Sequence, residues 1–325
     1  MTGAYEVSVE NAYIRYEFVI RRNITVIRGQ SATGKTTLFE MIRAYNEQEE
    51  SGIQVKCEKT LAVLYGKDWE KRLGEIENSI VFIDEQSRFV KSADFARKVR
   101  GSDNYYVIIT REKMPELPYS VTEIYGIRTR GKYAGLAGEY ATNEFYRIYG
   151  ERPMQSFKPD VIITEDSNAG YEFWNGISDS VKCVSAGGKS NIIKKLKELK
   201  KTGQRYLAIV DGAAFGAELE EVLQYIRFGN PEVEIFAPES FEYLLLSGGL
   251  FPSAEIKEKC KNTADHADSV RYMSWEQFYT ELITEATKDT EMQYSKKKLN
   301  LYYLSERNKK IIMEQVPEQL RLLSK

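Results

Sequence analysis

The sequence has little histidine and little cysteine. It contains one histidine, His266, and three cysteines that form no CxxC pair. A structural zinc site takes four cysteine or histidine ligands, usually at short spacings, so this composition excludes the common zinc folds. A single histidine also excludes any mechanism that needs two.

Long apolar runs are missing as well. No run reaches the roughly 18 apolar residues that a membrane-spanning helix needs, and the N-terminal segment does not resemble a signal peptide. We therefore expect a reduced, cytoplasmic protein with no membrane partner.

Positive and negative charges balance over the whole chain but not within individual segments. Lys and Arg total 46 against 48 Asp and Glu, a formal net charge of -2, so no overall field favours nucleic acid. Residues 182–205 nevertheless hold eight Lys/Arg and one Asp/Glu, whereas residues 211–242 hold eight Asp/Glu and one Arg. A basic segment therefore precedes an acidic one.

At 325 residues the chain is long enough for two domains, and two blocks of alternating strand and helix patterns are visible. In the first block we expect a hairpin that turns near Glu10-Asn11. The predicted elements of this block are the hairpin over 5–20, strands at 24–28, 53–57, 79–84, 105–110 and 121–127, and helices from 35, over 67–77 and over 91–100. The first helix is expected to place Leu38, Met41, Ile42 and Tyr45 on one apolar face.

Residues 131–159 are rich in glycine and tyrosine and contain two prolines, so we place the domain boundary there. The second block then predicts strands at 161–164, 181–185, 206–210 and 233–237, and helices at 168–175, 190–201, 215–227, 274–288 and 295–315. The expected fold is α/β: a parallel sheet in a domain over 1–150, then a smaller α/β domain with a helical tail over 160–325.

The segment GQSATGKTT fits the phosphate-binding pattern G-x-x-x-x-G-K-[ST] between a strand and a helix. Its glycines let backbone N–H groups face phosphate oxygens, Lys35 reaches the β and γ phosphates, and the Thr36 hydroxyl takes a Mg²⁺ position. The motif predicts ATP and Mg²⁺ as cofactors. The predicted nucleotide-binding residues are Gly29, Gln30, Ser31, Ala32, Thr33, Gly34, Lys35, Thr36 and Thr37.

The segment SIVFIDEQ provides the partner motif. Asp84 ends a predicted buried strand, where it can hold Mg²⁺, and Glu85 is placed to polarise the attacking water. Lys35 and Glu85 are thus the predicted catalytic residues of an ATPase. Thr110 ends the next strand and is a candidate sensor of the γ-phosphate. Three arginines are candidates to supply positive charge in cis or in trans: Arg111, Arg128 and Arg130.

The Asp-Glu pair and the preceding hairpin resemble those of ABC- and AAA-like ATPases, in a minimal form. LSGG at residues 246–249 is similar to the ABC signature, but it lies in the other domain. Only 48 residues separate Lys35 from Asp84, too few for the ABC helical insertion. We interpret LSGG as a helix that ends at glycine.

Residues 160–247 resemble a Toprim domain, the metal-binding fold of topoisomerases, primases and OLD-family nucleases. Glu165 follows the first predicted strand and Asp211 follows the third, where Toprim proteins keep a glutamate and an Asp-x-Asp pair. AGGKSNIIKKLKEL is similar to the Gly-Lys segment of the OLD-like branch, and PESFEYLLLSG places Glu239 and Glu242 where that branch often has another acidic residue. The resemblance implies Mg²⁺ ligands at Glu165, Asp211 and Glu242, with Glu165 and Asp211 catalytic.

One position departs from the Toprim pattern. The motif is Asp211-Gly212-Ala213, and alanine has no oxygen to offer a metal. Asp166, Glu218 and Glu242 are the candidates to compensate. Glu165 and Asp211 can also be read as helix and turn caps in an ordinary α/β domain.

These patterns leave three functions open. The first is an ATP-regulated, Mg²⁺-dependent nuclease or other processor of DNA or RNA, which the OLD-like resemblance connects with phage defence or mobile elements. The second is an ATP-switched binding or assembly protein whose Toprim-like domain has lost its chemistry. The third is a small-molecule kinase, against which the Asp84-Glu85 pair argues.

Two further expectations concern partners. The lysines of 190–201 suit either a solvated helix face or a phosphodiester backbone. Because no arginine is clearly placed in cis, we expect a second copy or a partner protein to supply one in trans.

Overall fold

The computed structural model describes residues 1–29, 33–130, 141–150, 158–178 and 181–324. The chain divides into two compact units. Unit 1 contains Met1–Glu151 and Ala264–Met273, and unit 2 contains Arg152–Thr263 and Ser274–Lys325. Both units are α/β structures, as the sequence predicts.

Unit 1 is built on one large sheet. Its strands are β1 (Tyr5–Glu10), β2 (Ile14–Ile20), β3 (Ile24–Ile27), β4 (Gln54–Lys56), β5 (Thr60–Leu64), β6 (Ser79–Ile83), β7 (Tyr105–Ile109), β8 (Ile124–Arg130) and β9 (Ala141–Arg147). Their order across the sheet is β4-β1-β2-β9-β8-β3-β7-β6-β5. The α-helices are α1 (Lys35–Glu47), α2 (Trp69–Leu73) and α3 (Ala93–Val99).

The sheet of unit 1 is mixed, so the prediction of a parallel sheet holds only for its core. Strands β8, β3, β7, β6 and β5 pair in parallel, whereas β1 pairs antiparallel with β2 and β4, and β8 pairs antiparallel with β9. The predicted hairpin accounts for part of this difference. Asn11 accepts the N–H groups of Tyr13 and Ile14 through its side chain, at 2.8 and 2.9 Å, and such a short turn joins only antiparallel strands.

The core of unit 1 takes in residues of its parallel strands, of β1 and β2 and of α1. Every residue of β3, β6 and β7 is buried, which explains their unbroken apolar runs. Helix α1 packs its predicted face against this core through Leu38, Met41 and Ile42. Tyr45 was predicted on the same face but is 45% exposed and lies in the last turn of the helix.

Unit 2 has a smaller, parallel sheet. Its strands are β10 (Val161–Thr164), β11 (Lys182–Ser185), β12 (Tyr206–Ile209) and β13 (Val233–Phe236), in the order β11-β10-β12-β13. Its α-helices are α4 (Ala169–Ile177), α5 (Ile192–Leu199), α6 (Gly216–Arg227), α7 (Phe241–Ser247), α8 (Ala254–Lys261), α9 (Trp275–Ala286) and α10 (Glu306–Met313). The predicted small α/β unit with a helical tail is confirmed.

Two predicted helices are shorter than expected. Of the helix predicted over 67–77, only Trp69–Leu73 forms α2, and Gly74 is its C-cap. Of the helix predicted over 295–315, only α10 forms an α-helix. Upstream of it, the N–H of Leu299 donates to the Glu172 carboxylate at 2.6 Å, so this backbone group is satisfied outside a helix.

Three segments were not foreseen. Strand β5 (Thr60–Leu64) lies between the strand predicted over 53–57 and the helix predicted over 67–77. β9 lies inside the predicted boundary 131–159, of which residues 131–140 and 151–157 lie outside the described part of the chain. Residues 264–273 return to unit 1, where the Asn23 side chain donates to the carbonyls of Ser269 and Tyr272 at 3.1 and 3.2 Å. Asn23 directly precedes β3, so this segment is anchored at the start of the strand that leads to the predicted phosphate loop.

Candidate functional site

The predicted phosphate loop connects β3 to α1. Gln30, Ser31 and Ala32 lie outside the described residues. The two flanking glycines have φ angles of 143° at Gly29 and 86° at Gly34, in the region that favours glycine. A Cβ on Gly29 would be in ordinary contact with Thr33 Oγ1 at 3.6 Å and Lys35 Nζ at 3.9 Å, so the backbone angle rather than space favours glycine there.

Tyr16 supports this loop from below. It is fully buried in β2, and its hydroxyl donates to the Gly34 carbonyl at 2.8 Å. Burial raises the pKa of Tyr16, so the hydroxyl keeps its proton. A Cβ on Gly34 would lie only 2.7 Å from this hydroxyl. The sequence analysis missed Tyr16, although the alternation in β2 places it on the buried face.

Lys35 is the first residue of α1 and is 5% exposed. Its Nζ donates to the Gly29 carbonyl at 3.0 Å and to Thr33 Oγ1 at 2.9 Å. Burial lowers the pKa of Lys35, while the Glu85 carboxylate raises it and Arg111 lowers it. The ammonium is thus held over the loop at the positive end of a helix. Thr36 and Thr37 are exposed in the first turn.

Asp84 and Glu85 follow β6, and β7 lies between β6 and the loop-bearing strand β3. Asp84 is half-buried, and its Oδ1 accepts the hydroxyl of Ser87 at 2.6 Å. Glu85 Oε1 lies 2.8 Å from Arg111 Nε. Lys35 therefore follows β3 through the loop, and Asp84 and Glu85 follow β6, which is separated from β3 by the single strand β7.

Thr110 and the other candidate arginines have different surroundings. Thr110 is 3% exposed, and its Oγ1 accepts the N–H of Glu112 at 3.0 Å. Arg128 Nε lies 3.9 Å from Glu144 across β8 and β9. The side chain of Arg130 lies outside the described residues. Among these candidates, the described contacts connect Arg111 with Glu85.

In unit 2, Glu165 and Asp211 follow the neighbouring parallel strands β10 and β12, which pair Thr164 with Ile209. The backbone N–H of Asp211 donates to Glu165 Oε2 at 3.1 Å. Both residues line one crevice at the carboxyl ends of these strands, together with Asp166 and Glu242. The structure therefore brings the predicted residues Glu165, Asp211 and Glu242 to one place. We call it the carboxylate crevice.

The carboxylates of this crevice raise one another's proton affinity. Burial raises the pKa of Glu165 to about 7, with Glu276 and Glu218 adding to the rise. Burial raises the pKa of Asp211 well above its ordinary value, and Glu276, Glu165 and Glu242 raise it further. Such shifts are typical of clustered negative charge that lacks sufficient positive charge nearby.

Helices and a later segment close the crevice. Glu242, in the first turn of α7, is 2% exposed and accepts the hydroxyl of Tyr294 at 2.7 Å. Lys296 also lines the crevice, and its Nζ forms an ion pair with Glu276 at the start of α9. Burial lowers the pKa of Lys296, but Glu276, Glu242 and Asp211 raise it above its ordinary value. The sequence analysis missed these three partners, and no motif connects them.

The Asp-Gly-Ala loop after β12 is tightly held. The N–H of Gly212 donates to the Pro238 carbonyl at 2.6 Å, and that of Ala213 donates to the Glu239 carbonyl at 3.0 Å. A Cβ on Gly212 would lie 2.6 Å from the Ala237 carbonyl. Ala213 is 2% exposed, so the position where Toprim proteins keep a second aspartate is buried.

Within the described ranges, no group of three or more His, Cys, Asp or Glu side chains is close enough to hold a metal ion. Mg²⁺ often binds through one or two carboxylates and several waters, so a pair such as Glu165 and Asp211 suits it. One carboxylate with substrate phosphates is another common set of Mg²⁺ ligands, and Asp84 with the Thr36 hydroxyl suits that arrangement.

The lysine-rich helix α5 buries Ile192, Ile193 and Leu196. Lys195 lies 3.0 Å and Lys194 3.9 Å from the Glu198 carboxylate, so part of its positive charge is neutralised locally. Residues 246–249 form the end of α7: the helix ends at Ser247, and Gly249 has φ 77°. The interpretation of LSGG as a helix end is confirmed.

In the part of the chain that the structure describes, none of the helices has the length and apolarity to cross a membrane. Comparison with known proteins gives no relative: no protein-family model matches the sequence, and no curated protein matches it significantly.

Proposed function

We propose that unit 1 binds and hydrolyses ATP. The observation that carries the proposal is the position of Lys35, a buried lysine at the first turn of α1 whose Nζ lies 3.0 Å from the Gly29 carbonyl. Keeping an ammonium out of water is unfavourable unless it gains compensating contacts. A lysine held over a glycine loop at a helix N-terminus suits phosphate groups.

The other residues have roles that follow from their places. Thr36 and Asp84 would hold Mg²⁺, which neutralises charge on the phosphates when it is bound. Glu85 accepts a proton from water as the water oxygen bonds to the γ-phosphorus and the bond to the bridging oxygen breaks. Tyr16 keeps Gly34 in place through its hydrogen bond.

Nucleotide titrations test this proposal. We expect Lys35→Ala to weaken ATP binding by about 10²-fold or more, because the phosphate charge loses its fixed counter-charge, while the exposed Lys98→Ala leaves binding unchanged. Glu85→Gln should keep binding and slow hydrolysis, since only the group that polarises water changes. Equal ATP affinity in wild type and Lys35→Ala would overturn the assignment.

For unit 2 we propose Mg²⁺-dependent processing of DNA or RNA, with phosphodiester cleavage as the reaction. Glu165, Asp211 and Glu242 line one crevice. Burial, and then the neighbouring carboxylates, raise the pKa values of Glu165 and Asp211, and a divalent cation would favour their charged forms. A metal held there activates water and stabilises the leaving oxygen when it is bound.

Ala213 favours the second candidate, in which unit 2 is a binding or assembly module without chemistry. Its side chain is buried and carries no oxygen, so the loop after β12 offers a metal only Asp211. ATP binding at unit 1 would then switch the binding of a nucleic acid or a protein partner.

Metal binding and cleavage separate these two candidates. The nuclease predicts Mn²⁺ binding by calorimetry that Asp211→Asn abolishes and the exposed Asp289→Asn preserves. It also predicts cleavage of plasmid, linear or single-stranded substrates, with ATP and Mn²⁺, that is lost in Asp211→Ala. Identical behaviour of wild type and Asp211→Ala on every substrate would leave the binding module.

The remaining expectations extend this proposal. We propose a cytoplasmic protein that acts in phage defence or mobile-element biology and works with a second copy or a partner protein. An arginine supplied in trans is worth about 10³-fold or more in rate, so turnover per chain should fall on dilution. Constant turnover per chain would count against such an arginine.

A further inference from the structure

Glu85, the residue proposed to polarise water, forms an ion pair with an arginine. Arg111 Nε lies 2.8 Å from Glu85 Oε1, and the side chains are 51% and 39% exposed. This contact joins the residues that follow two adjacent strands, β6 and β7. Both side chains are therefore partly exposed to solvent.

The strand register explains why these side chains meet beside the phosphate loop. β6 pairs Ile83 with Ile108 of β7, and β3 pairs Ile27 with Ile109. The N–H of Thr110 donates to the Ile27 carbonyl at 3.2 Å, two residues before Gly29. Arg111 thus follows the last hydrogen bond between β7 and the strand that leads to the loop, with Glu85 on its other side.

The charges point to the same place. Glu85 and Arg111 are near enough to Lys35 to act on its pKa in opposite directions. These three ionised side chains follow three consecutive strands of the sheet: Lys35 follows β3 through the loop, Arg111 follows β7 and Glu85 follows β6. A guanidinium next to a phosphate cradle is well suited to a phosphate, which it binds through two parallel N–H groups.

We propose that Arg111 exchanges partners: it pairs with Glu85 in one state and with the terminal phosphate of a bound nucleoside triphosphate in the other. The inference rests on the proposed ATPase function and makes Arg111 the residue that couples triphosphate binding to the release of Glu85. The guanidinium occupies Glu85 Oε1, so this oxygen can accept a hydrogen bond from water only once Arg111 has turned away. Exposed ion pairs add little net stability, so breaking the pair of Arg111 and Glu85 costs little free energy.

A double-mutant cycle with nucleotide binding as its readout tests this exchange in the full chain. The variants are Glu85→Gln, Arg111→Gln and the double variant, and the ligands are a non-hydrolysable ATP analogue and ADP, titrated by calorimetry with Mg²⁺. The analogue removes any contribution from hydrolysis. The control is Arg97→Gln, which breaks another exposed ion pair, the 2.9 Å contact with Asp94 in α3.

Each variant is expected to change the affinity for the ATP analogue in a definite direction. Glu85→Gln should bind the analogue roughly two- to five-fold more tightly, because Arg111 no longer has to leave a carboxylate. Arg111→Gln should bind it about ten-fold more weakly, since a charged hydrogen bond to the terminal phosphate is lost. ADP affinity should stay the same in both, and the double variant should behave as Arg111→Gln does.

The alternatives give different results. If Glu85→Gln strengthens analogue binding equally with and without Arg111, or if Arg111→Gln weakens ADP and the analogue alike, the exchange is overturned. If wild type binds neither nucleotide, the proposed ATPase function fails and the exchange with it. If wild type binds both nucleotides and the cycle gives additive effects, only the exchange fails.

Discussion

The two candidate sites are built in opposite ways. The phosphate loop of unit 1 places one buried cation, Lys35, over a short contiguous segment, and burial lowers its pKa. The carboxylate crevice of unit 2 gathers acidic residues from distant parts of the chain, and their mutual repulsion and burial raise the pKa values of Glu165 and Asp211. The first site presents a buried positive charge, and the second gathers negatively charged groups.

The two sites depend on their surroundings to different degrees. The loop acts largely through its own backbone, and its described supports are one helix end and Tyr16. The crevice exists only because β10, β12, α7, α9 and the segment around Lys296 converge. Changes at the loop should therefore affect binding more than folding, and changes at the crevice should affect both.

The largest expected effect is the loss of stability caused by Gly212→Ala. A Cβ there meets two backbone carbonyls, of Ala237 at 2.6 Å and Pro238 at 2.7 Å, which cannot move alone. We expect Gly212→Ala to lower the free energy of unfolding by about 3 kcal/mol or more. Denaturant unfolding followed by tryptophan fluorescence measures this loss. A loss below about 1 kcal/mol would mean that the loop yields easily.

Gly34→Ala provides the matched comparison at the loop. It meets only the hydroxyl of a side chain, Tyr16, at 2.7 Å, and has φ 86°; Gly66 has nearly the same φ, 84°, with nothing within 4 Å. Gly66→Ala therefore isolates backbone strain. We expect a loss of about 1–2 kcal/mol for Gly34→Ala. Tyr16→Phe should restore part of it.

The second effect is a pH dependence of stability from Glu165. Its pKa is raised from 4.5 to about 7 in the folded protein, so the fold binds this proton more tightly between those values. The stabilisation is fully present below about 4.5 and is lost as pH rises through about 7, by at most about 3 kcal/mol. Thermal melts from pH 4.5 to 8 should fall less steeply in Glu165→Gln.

Two controls sharpen this test. Glu198→Gln removes an exposed carboxylate of α5 and should keep the wild-type pH profile. Mn²⁺ should stabilise wild type more at pH 8 than at pH 5, because the metal competes with protons for the same carboxylates. A wild-type profile that is flat over this range would contradict the raised pKa of Glu165.

A smaller effect is expected for Ala213→Asp. The position is 2% exposed, so an added carboxylate must lose water next to other carboxylates. Without metal we expect a loss of about 1–3 kcal/mol in the free energy of unfolding. If the second aspartate restores a Toprim-like site, Mn²⁺ should reverse the loss and bind more tightly than to wild type. A loss that Mn²⁺ leaves unchanged would favour the module without chemistry.

The smallest effect is expected at α5. Neutralising Lys194, Lys195, Lys197 and Lys201 together should change the free energy of unfolding by only about 0.5 kcal/mol, because exposed charges contribute little. If this face binds a phosphodiester backbone, the slope of log affinity against log salt should fall by about 0.9 per lost contact with a duplex. An unchanged slope would identify the helix face as solvated.

Much of the fold follows from local pattern. The apolar runs of β3, β6 and β7 and the apolar face of α1 indicate their burial, because a strand covered on both faces has no polar alternation. Two of the three unforeseen segments depend on distant partners, whereas β5 pairs with β6, the next strand along the chain. β9 gains its place only by pairing with β2 and β8, and residues 264–273 gain theirs by bonding to Asn23.

The candidate phosphate site from Gly29 to Thr37 and its partner Asp84-Glu85 can be recognised in the sequence, since each is a contiguous segment with a characteristic local spacing. The contact of Arg111 with Glu85 and the hydrogen bond from Tyr16 to Gly34 become visible only in the folded protein. The same is true of the closing of the carboxylate crevice by Lys296 and Tyr294. The physical reason is that these contacts join residues from different strands, helices and connecting segments, and only the folded sheets bring them within bonding distance.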